Sequence, residues 1–231
     1  LTPERCISAY VGAARELGAE VHAREQVLGW EPRGDGVRVT TDRGAYEAGS
    51  LVITAGAWNA GLLGELGHHM VPERQVLAWL QPTRPDLFAP ARFPVFNLEV
   101  EEGRYYGFPV FRVPGFKFGR YRHLGETADP DQLDRAPNAR DEALLRQFAA
   151  RYFPDGAGPT MALRVCMFTN TPDGHFIIDR HPQHPQVIFA SPCSGHGYKF
   201  ASVLGEVLAE LATRGETGHD IAMFRHDRFT A

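Results

Sequence analysis

A glycine-rich segment near the C-terminus has the residue types of a ligand-binding turn. Residues 194–200 read Ser-Gly-His-Gly-Tyr-Lys-Phe, after a run typical of a buried strand and before a segment with helical periodicity. Glycines at such a junction let the backbone approach a ligand closely, and the start of a helix offers free N–H groups and a positive dipole end. Lys199 adds a cation, so the segment suits an electron-rich or anionic group. A turn whose glycines serve only the chain reversal fits the same spacing.

Two single residues in predicted strands could also do chemistry. Cys166 lies two residues from Arg164 on one face of an alternating strand, and a nearby cation favours the reactive thiolate. A free cysteine is more commonly a small buried apolar residue. Lys117, flanked by Phe116 and Phe118, points to the face opposite its neighbours. It is either a solvent-facing lysine on a one-sided sheet or a buried cation poised for chemistry.

Several familiar site types do not match the sequence. None of the ten histidines has the helical His pair or the Cys/His spacing of a zinc site, so we expect no metal. A serine-hydrolase Gly-x-Ser-x-Gly elbow is absent. Residues 34–39, Gly-Asp-Gly-Val-Arg-Val, begin like a dinucleotide-binding fingerprint but lack the third glycine and open no helix.

Composition narrows the class of protein. The chain has 231 residues, 43% of them hydrophobic, and a formal net charge of −4, as in an ordinary globular protein of one large or two small domains. It has no basic excess for nucleic-acid binding and no apolar run of about 20 residues to cross a membrane. Cys6, Cys166 and Cys193 are too scattered for a disulfide framework, so we expect a reducing, cytoplasmic location.

The elements that must position these residues begin with an α/β pattern. Residues 4–18 have the apolar spacing of an amphipathic helix, and residues 19–23 are expected to form a short strand. Residues 26–33 and 37–41 alternate around Gly-Asp-Gly, which predicts a hairpin. The β-branched run 51–54 enters a glycine turn and then a short helix. This order is typical of part of an α/β nucleotide-binding domain.

The pattern changes at about Val71. From there to about Pro114 prolines recur and aromatic residues cluster, and short strands with long connections favour an antiparallel sheet. A helix is predicted over residues 141–152. The later predicted elements are strands over residues 162–169, 176–179 and 187–190 and a helix over residues 199–213.

Taken together, these motifs resemble the monomeric sarcosine oxidase and N-methyltryptophan oxidase family, flavoprotein amine oxidases of the D-amino-acid oxidase superfamily. The 33-residue spacing from Cys166 to Lys199 and the 11-residue spacing from Tyr106 to Lys117 are also family-like. The resemblance covers the whole chain in order. The segments that carry it are residues 51–59, 105–109, 115–119, 166–179, 194–200 and 218–221, with Phe224.

The resemblance implies an α/β plus α+β fold. Residues 1–70 and 170–231 would form part of a Rossmann-like FAD-binding domain, interrupted by a substrate domain with an antiparallel sheet over residues 71–169. The family begins with a strand, a Gly-x-Gly-x-x-Gly turn and a helix that bind the ADP half of FAD, and these have no match here. We therefore expect the chain to be the C-terminal two-thirds of such an oxidase.

The resemblance also implies roles for individual residues. Cys166 would carry FAD through a thioether to the 8α-methyl carbon, and Lys117 would lie beside flavin N5 and assist its reaction with oxygen. Lys199 would help hold the substrate carboxylate and the flavin's pyrimidine edge, while Tyr106 and His123 would line the substrate pocket. The further cofactor-binding residues that it implies are Val27, whose backbone would meet adenine, Ala55, Gly56, and Ser194, Gly195, His196 and Gly197 along the flavin.

The chain departs from the family pattern at three places. The stretch Arg120–His123 is one residue longer than in the sarcosine enzyme. Phe168 stands where a pocket tyrosine is often found, so one hydroxyl is lost. Pro192-Cys193 replaces the commoner Gly-Phe before the Ser-Gly-His-Gly motif.

The implied activity is oxidation of a small secondary or N-methyl amino acid by FAD and O₂, with imine hydrolysis and release of hydrogen peroxide. Its partners would be that substrate and O₂, with no nucleic acid and no membrane, and the oligomeric state is not predicted. Related fructosyl-amino-acid or pipecolate oxidases share nearly every motif. The sequence is also compatible with a dehydrogenase of the same superfamily that passes electrons to a carrier, and with a non-catalytic fragment or binding subunit without its own FAD.

Overall fold

The computed structural model describes residues 1–229. The chain divides into two compact units: a split unit, Leu1–Met70 with Thr171–Ala231, and a sheet unit, Val71–Asn170. The assignment of the split unit to FAD binding and of the sheet unit to substrate binding stays a prediction. In chain order the elements are α1 (Pro3–Glu16), β1 (Val27–Arg33), β2 (Gly36–Thr41), β3 (Ala45–Ala48), β4 (Leu51–Ile53), α2 (Asn59–Leu63), β5 (Val71–Leu80), β6 (Phe96–Val100), β7 (Gly103–Phe108), β8 (Phe116–Arg120), α3 (Ala139–Tyr152), β9 (Thr160–Asn170), β10 (Ile177–Arg180), β11 (Val187–Ser191) and α4 (Ala201–Arg214).

The split unit contains two three-stranded sheets. One is the antiparallel meander β1-β2-β3, whose first turn is the predicted hairpin at Gly34, in the left-handed region at φ 57°. The other has the order β10-β11-β4, with β11 parallel to β4 and antiparallel to β10. All five residues of β11 are buried because both of its faces are covered. Ile188 and Ala190 pack with α4, whereas Val187 and Phe189 pack with Ile53 of β4.

The strand predicted over residues 19–23 is wrong. The segment has no regular structure, and Val21 is 53% exposed. The ring of His22 instead lies 3.3 Å from a carboxylate oxygen of Glu20 and 3.1 Å from one of Glu25, and Glu25 also accepts from Tyr46. The conformation of this segment is therefore set by local polar contacts. The apolar alternation over residues 19–23 is too short to bury one face of a strand.

The sheet unit is one antiparallel sheet with the strand order β6-β7-β8-β5-β9. Helix α3 covers one face, where Tyr105 stacks on Phe148 with ring centroids 3.7 Å apart. The helix begins with a capping box, in which Asn138 accepts from the N–H of Asp141 and Asp141 accepts from the N–H of Asn138. The residues buried under α3 come from alternate positions of the strands: Val76, Ala78, Leu80, Tyr105, Phe116 and Phe118.

Candidate functional site

The face of this sheet opposite α3, which we name the sheet face, carries three of the predicted site residues. Phe116 and Phe118 lie under α3, so Lys117 between them points the other way. Tyr106 pairs with Gly119, which lies two residues after Lys117 and therefore on the same face of the sheet. Cys166 pairs with Gln75, and Gln75 alternates with Val76 of the α3 side. Strand pairing therefore brings Tyr106, Lys117 and Cys166 from three separate strands to one face.

The Lys117 ammonium lies between two aromatic rings. Trp79 on β5 and Phe108 on β7 are the residues directly opposite Lys117 in the two neighbouring strands. Nζ of Lys117 is 4.9 Å from the Trp79 ring centroid and 5.2 Å from that of Phe108, within the range of cation–π attraction. The sequence could not show this arrangement, because no local pattern reveals which strands pair.

The Tyr106 side chain lies across Gly119. A Cβ at Gly119 would be 2.7 Å from the Tyr106 hydroxyl oxygen, so only glycine leaves room for the ring in this position. Tyr121, with its centroid 5.0 Å away, and Phe168, at 6.4 Å, complete an aromatic cluster. Burial raises the pKa of Tyr106 far above its usual range. The hydroxyl is therefore a neutral donor at physiological pH.

Cys166 is a partly buried free thiol on the sheet face. Burial raises its pKa, while the positive charges of Lys117 and Arg135 act in the opposite direction. The sequence-based expectation that Arg164 favours the thiolate is not supported, since Arg164 is exposed and its guanidinium donates to the carbonyl of Leu163. The thiol is therefore protonated at rest, and the cations near it come from outside its own strand.

His123 is not brought to the sheet face. Its side chain is fully buried, and Nε2 lies 3.0 Å from a carboxylate oxygen of Asp141, which is the third residue of α3. Arg74 donates to both oxygens of that carboxylate at 2.8 Å. The imidazole thus belongs to a buried ionic cluster on the α3 side, because Asp141 holds it there. That His123 lines the substrate pocket, as the resemblance implies, stays a prediction.

The electrostatics of this buried cluster favour a neutral histidine. Burial lowers the pKa of His123 and outweighs the opposite effect of Asp141. Burial by itself would raise the pKa of Asp141, but its hydrogen bonds from Arg74, Asn138 and His123 bring it down to about 2. Asp141 is therefore ionised and paired with Arg74, while His123 adds a neutral hydrogen bond.

In the split unit, the predicted glycine motif forms an irregular turn, residues 192–200, which we name the glycine loop. Ser194 and Gly195 both have left-handed backbone, at φ 45° and 76°. A Cβ on Gly197 would overlap the carbonyl of Pro192, so the loop closes on itself where only glycine fits. Gly195 is exposed in this turn, whereas Ser194 and Gly197 are buried.

Lys199 lies just before helix α4, whereas the sequence predicted it as the first residue of that helix. It is in a 3-10 turn, Tyr198–Phe200, and α4 begins only at Ala201. Its ammonium is exposed and donates to the carbonyl of His196 at 3.1 Å. The ring of His196 stacks on Phe176 with centroids 4.8 Å apart. The loop's polar atoms are thus partly held by the loop itself.

Val27 and Ala55, two of the predicted cofactor-binding residues, line one cavity of about 260 Å³. Its walls are largely apolar and come from β1, β2 and β4, with Trp30, Val39 and Leu62 among them. Gly56 follows Ala55 in left-handed backbone, at φ 58°. This site suits a flat, apolar-faced group.

Asn59 is a residue of this region that sequence reasoning did not single out. It is fully buried, accepts from the N–H of Ala55 at 2.7 Å and donates to the carbonyl of Ala190 at 2.9 Å. It therefore ties the turn after β4 to the neighbouring strand β11. In the sequence, the one signal that could have identified Asn59 is its position as a polar residue at the start of a short predicted helix.

Two features are absent from residues 1–229. No group of three or more His, Cys, Asp or Glu side chains there is arranged to hold a metal ion. Over the same residues, no helix has the length and apolar character needed to cross a membrane.

Residues 1–211 match the family model described as FAD dependent oxidoreductase. The chain is 43% identical over 232 residues to monomeric sarcosine oxidase of Bacillus sp. (strain NS-129), covering 99% of this chain and 60% of the relative. N-methyl-L-tryptophan oxidase of Salmonella dublin is 34% identical to the chain, and the match covers 100% of this chain and 61% of that relative. The fold is similar to that of L-proline dehydrogenase from P. horikoshii, with a TM-score of 0.79 at 22% identity over 96% of this chain and 58% of that one. The chain spans about three fifths of the length of these relatives, and it belongs to the family of FAD-dependent oxidoreductases.

Proposed function

We propose that this chain is part of a flavin-dependent oxidase of secondary or N-methyl amino acids. The observation that carries the proposal is the sheet face, where Tyr106, Lys117 and Cys166 come together from three strands. The similarity to a sarcosine oxidase and an N-methyl-L-tryptophan oxidase over the whole chain supports the substrate class. The sheet unit would bind the substrate, and the split unit would form part of the FAD site.

The residues present fit FAD. The apolar cavity at Val27 and Ala55 suits the adenine ring, and the glycine loop offers the exposed Gly195, where no side chain blocks the approach of the flavin. When bound, FAD would accept a hydride equivalent from the carbon next to the amine nitrogen, giving an imine that water hydrolyses, and would return two electrons to O₂ as hydrogen peroxide. The protein's part is to bind, orient and tune.

Cys166 is proposed to carry the cofactor covalently. Joining its sulfur to the 8α-methyl carbon removes one hydrogen from the thiol and one from the methyl group, as two protons and two electrons, and O₂ takes the electrons. The thiol must first lose its proton. The charges of Lys117 and Arg135 assist this step, because they oppose the effect of burial on the pKa of Cys166.

The three remaining polar side chains would divide the work between oxygen and substrate. Lys117 presents a cation on the sheet face, where electron transfer to O₂ develops negative charge. Tyr106, held protonated by burial, donates a hydrogen bond in the substrate pocket. Lys199 on the glycine loop would pair with the substrate carboxylate, for which its exposed ammonium is available.

The first experiment tests covalent flavin on the purified protein as its gene encodes it. The protein is denatured in acid and washed, and its visible spectrum and intact mass are measured. We expect a yellow precipitate with an FAD-sized mass increment on the Cys166 peptide. Cys166→Ser should release all flavin into the wash, whereas the matched control Cys193→Ser should keep it attached. Flavin that washes out of the wild type would overturn the covalent assignment.

A substrate panel in an oxygen electrode separates this activity from those of related enzymes. Sarcosine or another N-methyl amino acid should drive oxygen uptake and peroxide formation. Faster turnover with pipecolate or a fructosyl amino acid would reassign the substrate. Flavin reduction by an amine without oxygen uptake would identify a dehydrogenase. A protein that binds no flavin and turns nothing over would be a non-catalytic subunit.

A further inference from the structure

We propose that Trp79 and Phe108 are positioning residues that clamp the Lys117 ammonium between two aromatic rings and so keep its positive charge directed onto the sheet face. The inference rests on the proposed function, in which that charge assists reaction with oxygen. It assigns a task to two residues that have no role in the proposed function above. We name Trp79 and Phe108 together the aromatic clamp.

The backbone sets this clamp. Lys117 lies on β8, which pairs with β5 on one side and with β7 on the other. Trp79 and Phe108 occupy the directly opposite positions of those two strands, so both rings flank the same side chain on the same face. The ammonium is 4.9 Å and 5.2 Å from the two ring centroids. Since strand register fixes all three positions, the clamp does not depend on a flexible loop.

Aromatic partners hold a cation without cancelling its field. Within residues 1–229, Lys117 forms no ion pair with a carboxylate. A carboxylate beside the ammonium would leave a dipole with little net charge. A ring attracts the cation through its quadrupole and carries no net charge, so the full positive charge remains available to the sheet face. The clamp also restricts a side chain that otherwise has large rotamer freedom.

The use of lysine in this chain agrees with a special task. Of its 24 basic residues, only Lys117 and Lys199 are lysines and the others are arginines. Exposed ion pairs such as those of Arg33, Arg92 and Arg214 use the planar guanidinium. A lysine presents its charge on a compact ammonium. Lys117 and Lys199 are therefore the two positions of the chain with a compact side-chain ammonium, and both have roles in the proposed function.

The kinetic test measures reoxidation of the flavin by oxygen in stopped flow, after reduction by dithionite so that no amine is needed. We expect Trp79→Leu and Phe108→Leu each to slow reoxidation by roughly 3- to 10-fold, the size of a partly desolvated cation–π contact. Trp79→Phe keeps a ring and should recover most of the rate. The matched control Phe111→Leu removes a 66% exposed ring of the same unit and should leave the rate unchanged.

A double variant shows whether the effect passes through Lys117. In a Lys117→Met background, Trp79→Leu should cause no further slowing, because the charge that the clamp positions is gone. Additive slowing in the double variant would overturn the proposal. Equal rates for wild type, Trp79→Leu and Phe108→Leu would overturn it as well. If the leucine variants do not fold, Trp79→Met and Phe108→Met, which also remove the ring but fill space flexibly, provide the same comparison.

A spectroscopic test does not depend on catalysis. In protein labelled with ¹³Cε-lysine, the Lys117 signal, assigned by its loss in Lys117→Met, should be shifted upfield by the two rings. The shift should decrease in Trp79→Leu and in Phe108→Leu, and stay in Phe111→Leu. An unshifted Lys117 signal would overturn the clamp. A shifted signal in a protein that oxidises no amine would refute the proposed function and leave the clamp intact.

Discussion

The sheet face and the glycine loop hold their polar groups by different means. On the sheet face, Tyr106, Lys117 and Cys166 lie in strands, and pairing with the neighbouring strands fixes the position of each residue. In the glycine loop, left-handed backbone at Ser194 and Gly195 creates the shape. The strands of the sheet face therefore fix the positions of individual side chains, whereas the shape of the glycine loop depends on its own backbone conformation. A catalytic cation needs the first arrangement, and a bound cofactor edge needs the second.

The largest effect is expected where the sheet face depends on α3. Asp141→Asn leaves Arg74 buried beside an uncharged partner, so unfolding of the sheet unit should require about 3 kcal/mol less free energy. Asp86→Asn is the control, because Asp86 is 54% exposed and pairs with Arg92 on the surface. That variant should change stability by less than about 1 kcal/mol. Equal urea midpoints for the two variants would show that the buried cluster does not support the sheet.

The second prediction concerns the charge on the sheet face. Lys117→Met should slow reoxidation of the flavin by roughly 100-fold, the loss typical of one electrostatic group aimed at developing charge. Reduction by the amine should change less, since the role proposed for Lys117 is in the reaction with oxygen. Stopped-flow traces of the two half-reactions measure both steps. Unchanged oxygen kinetics in this variant would remove Lys117 from the reaction with oxygen.

The third prediction perturbs the glycine loop without touching the sheet face. Gly197→Ala places a Cβ on the carbonyl of Pro192, so the loop must rearrange at a cost of about 1–3 kcal/mol. Gly205→Ala is the matched control, since a Cβ there meets nothing within 4 Å and alanine favours the helix α4. The urea midpoint and the retained flavin content should fall in the first variant only. Reoxidation per bound flavin should stay as in the wild type, because Lys117 is untouched.

The fourth prediction returns to the sheet face with a smaller change. Gly119→Ala would displace the Tyr106 ring, whose hydroxyl oxygen lies 2.7 Å from the new Cβ position. The KM for the amine should rise by roughly 10-fold through this misplacement, with a smaller effect on reoxidation. Adding Tyr106→Phe removes the closest clashing atom. If the increases in KM from Gly119→Ala and from Tyr106→Phe simply multiply in the double variant, Gly119 does not act through Tyr106.

Local patterns predicted most elements of the fold and failed at one. Helix α3, strand β9 and the hairpin at Gly34 were predicted within a few residues, because apolar periodicity and turn chemistry are local signals. The predicted strand over residues 19–23 is wrong because polar side chains compete there.

The candidate site was harder to predict, because it depends on strand pairing. The sequence placed Lys117 in a strand but left open which face it uses. Its partners Trp79 and Phe108 became visible only with the register of three strands. His123 turns toward Asp141, a carboxylate that itself depends on Arg74 far away in the sequence. Resemblance supplied residue roles, but it could not supply the direction of that side chain.

The smallest expected effect is a pH dependence that differs in sign between the two units. In the sheet unit, burial lowers the pKa of His123 below its ordinary 6.5, so the unfolded chain binds a proton that the folded chain does not. This contribution to stability is present above pH 6.5 and is lost as the pH falls below it. In the split unit, the carboxylates of Glu20 and Glu25 accept hydrogen bonds from the exposed His22 ring and raise its pKa. Its contribution is present below pH 6.5 and is lost as the pH rises through the folded-state value.

Urea unfolding between pH 5 and pH 7.5 tests this opposition. His123→Gln should flatten the loss of stability on the acid side, a slope of at most about 1.4 kcal/mol per pH unit for one proton. His22→Gln should act in the opposite direction and more weakly, because the His22 side chain is itself 46% exposed and that of Glu20 is 87% exposed. His219→Gln, at a histidine whose side chain is 43% exposed, is the control for replacing an imidazole. Parallel pH profiles for His123→Gln and the wild type would mean that His123 binds its proton equally well in the folded and the unfolded chain, which would contradict the lowered pKa of the buried imidazole.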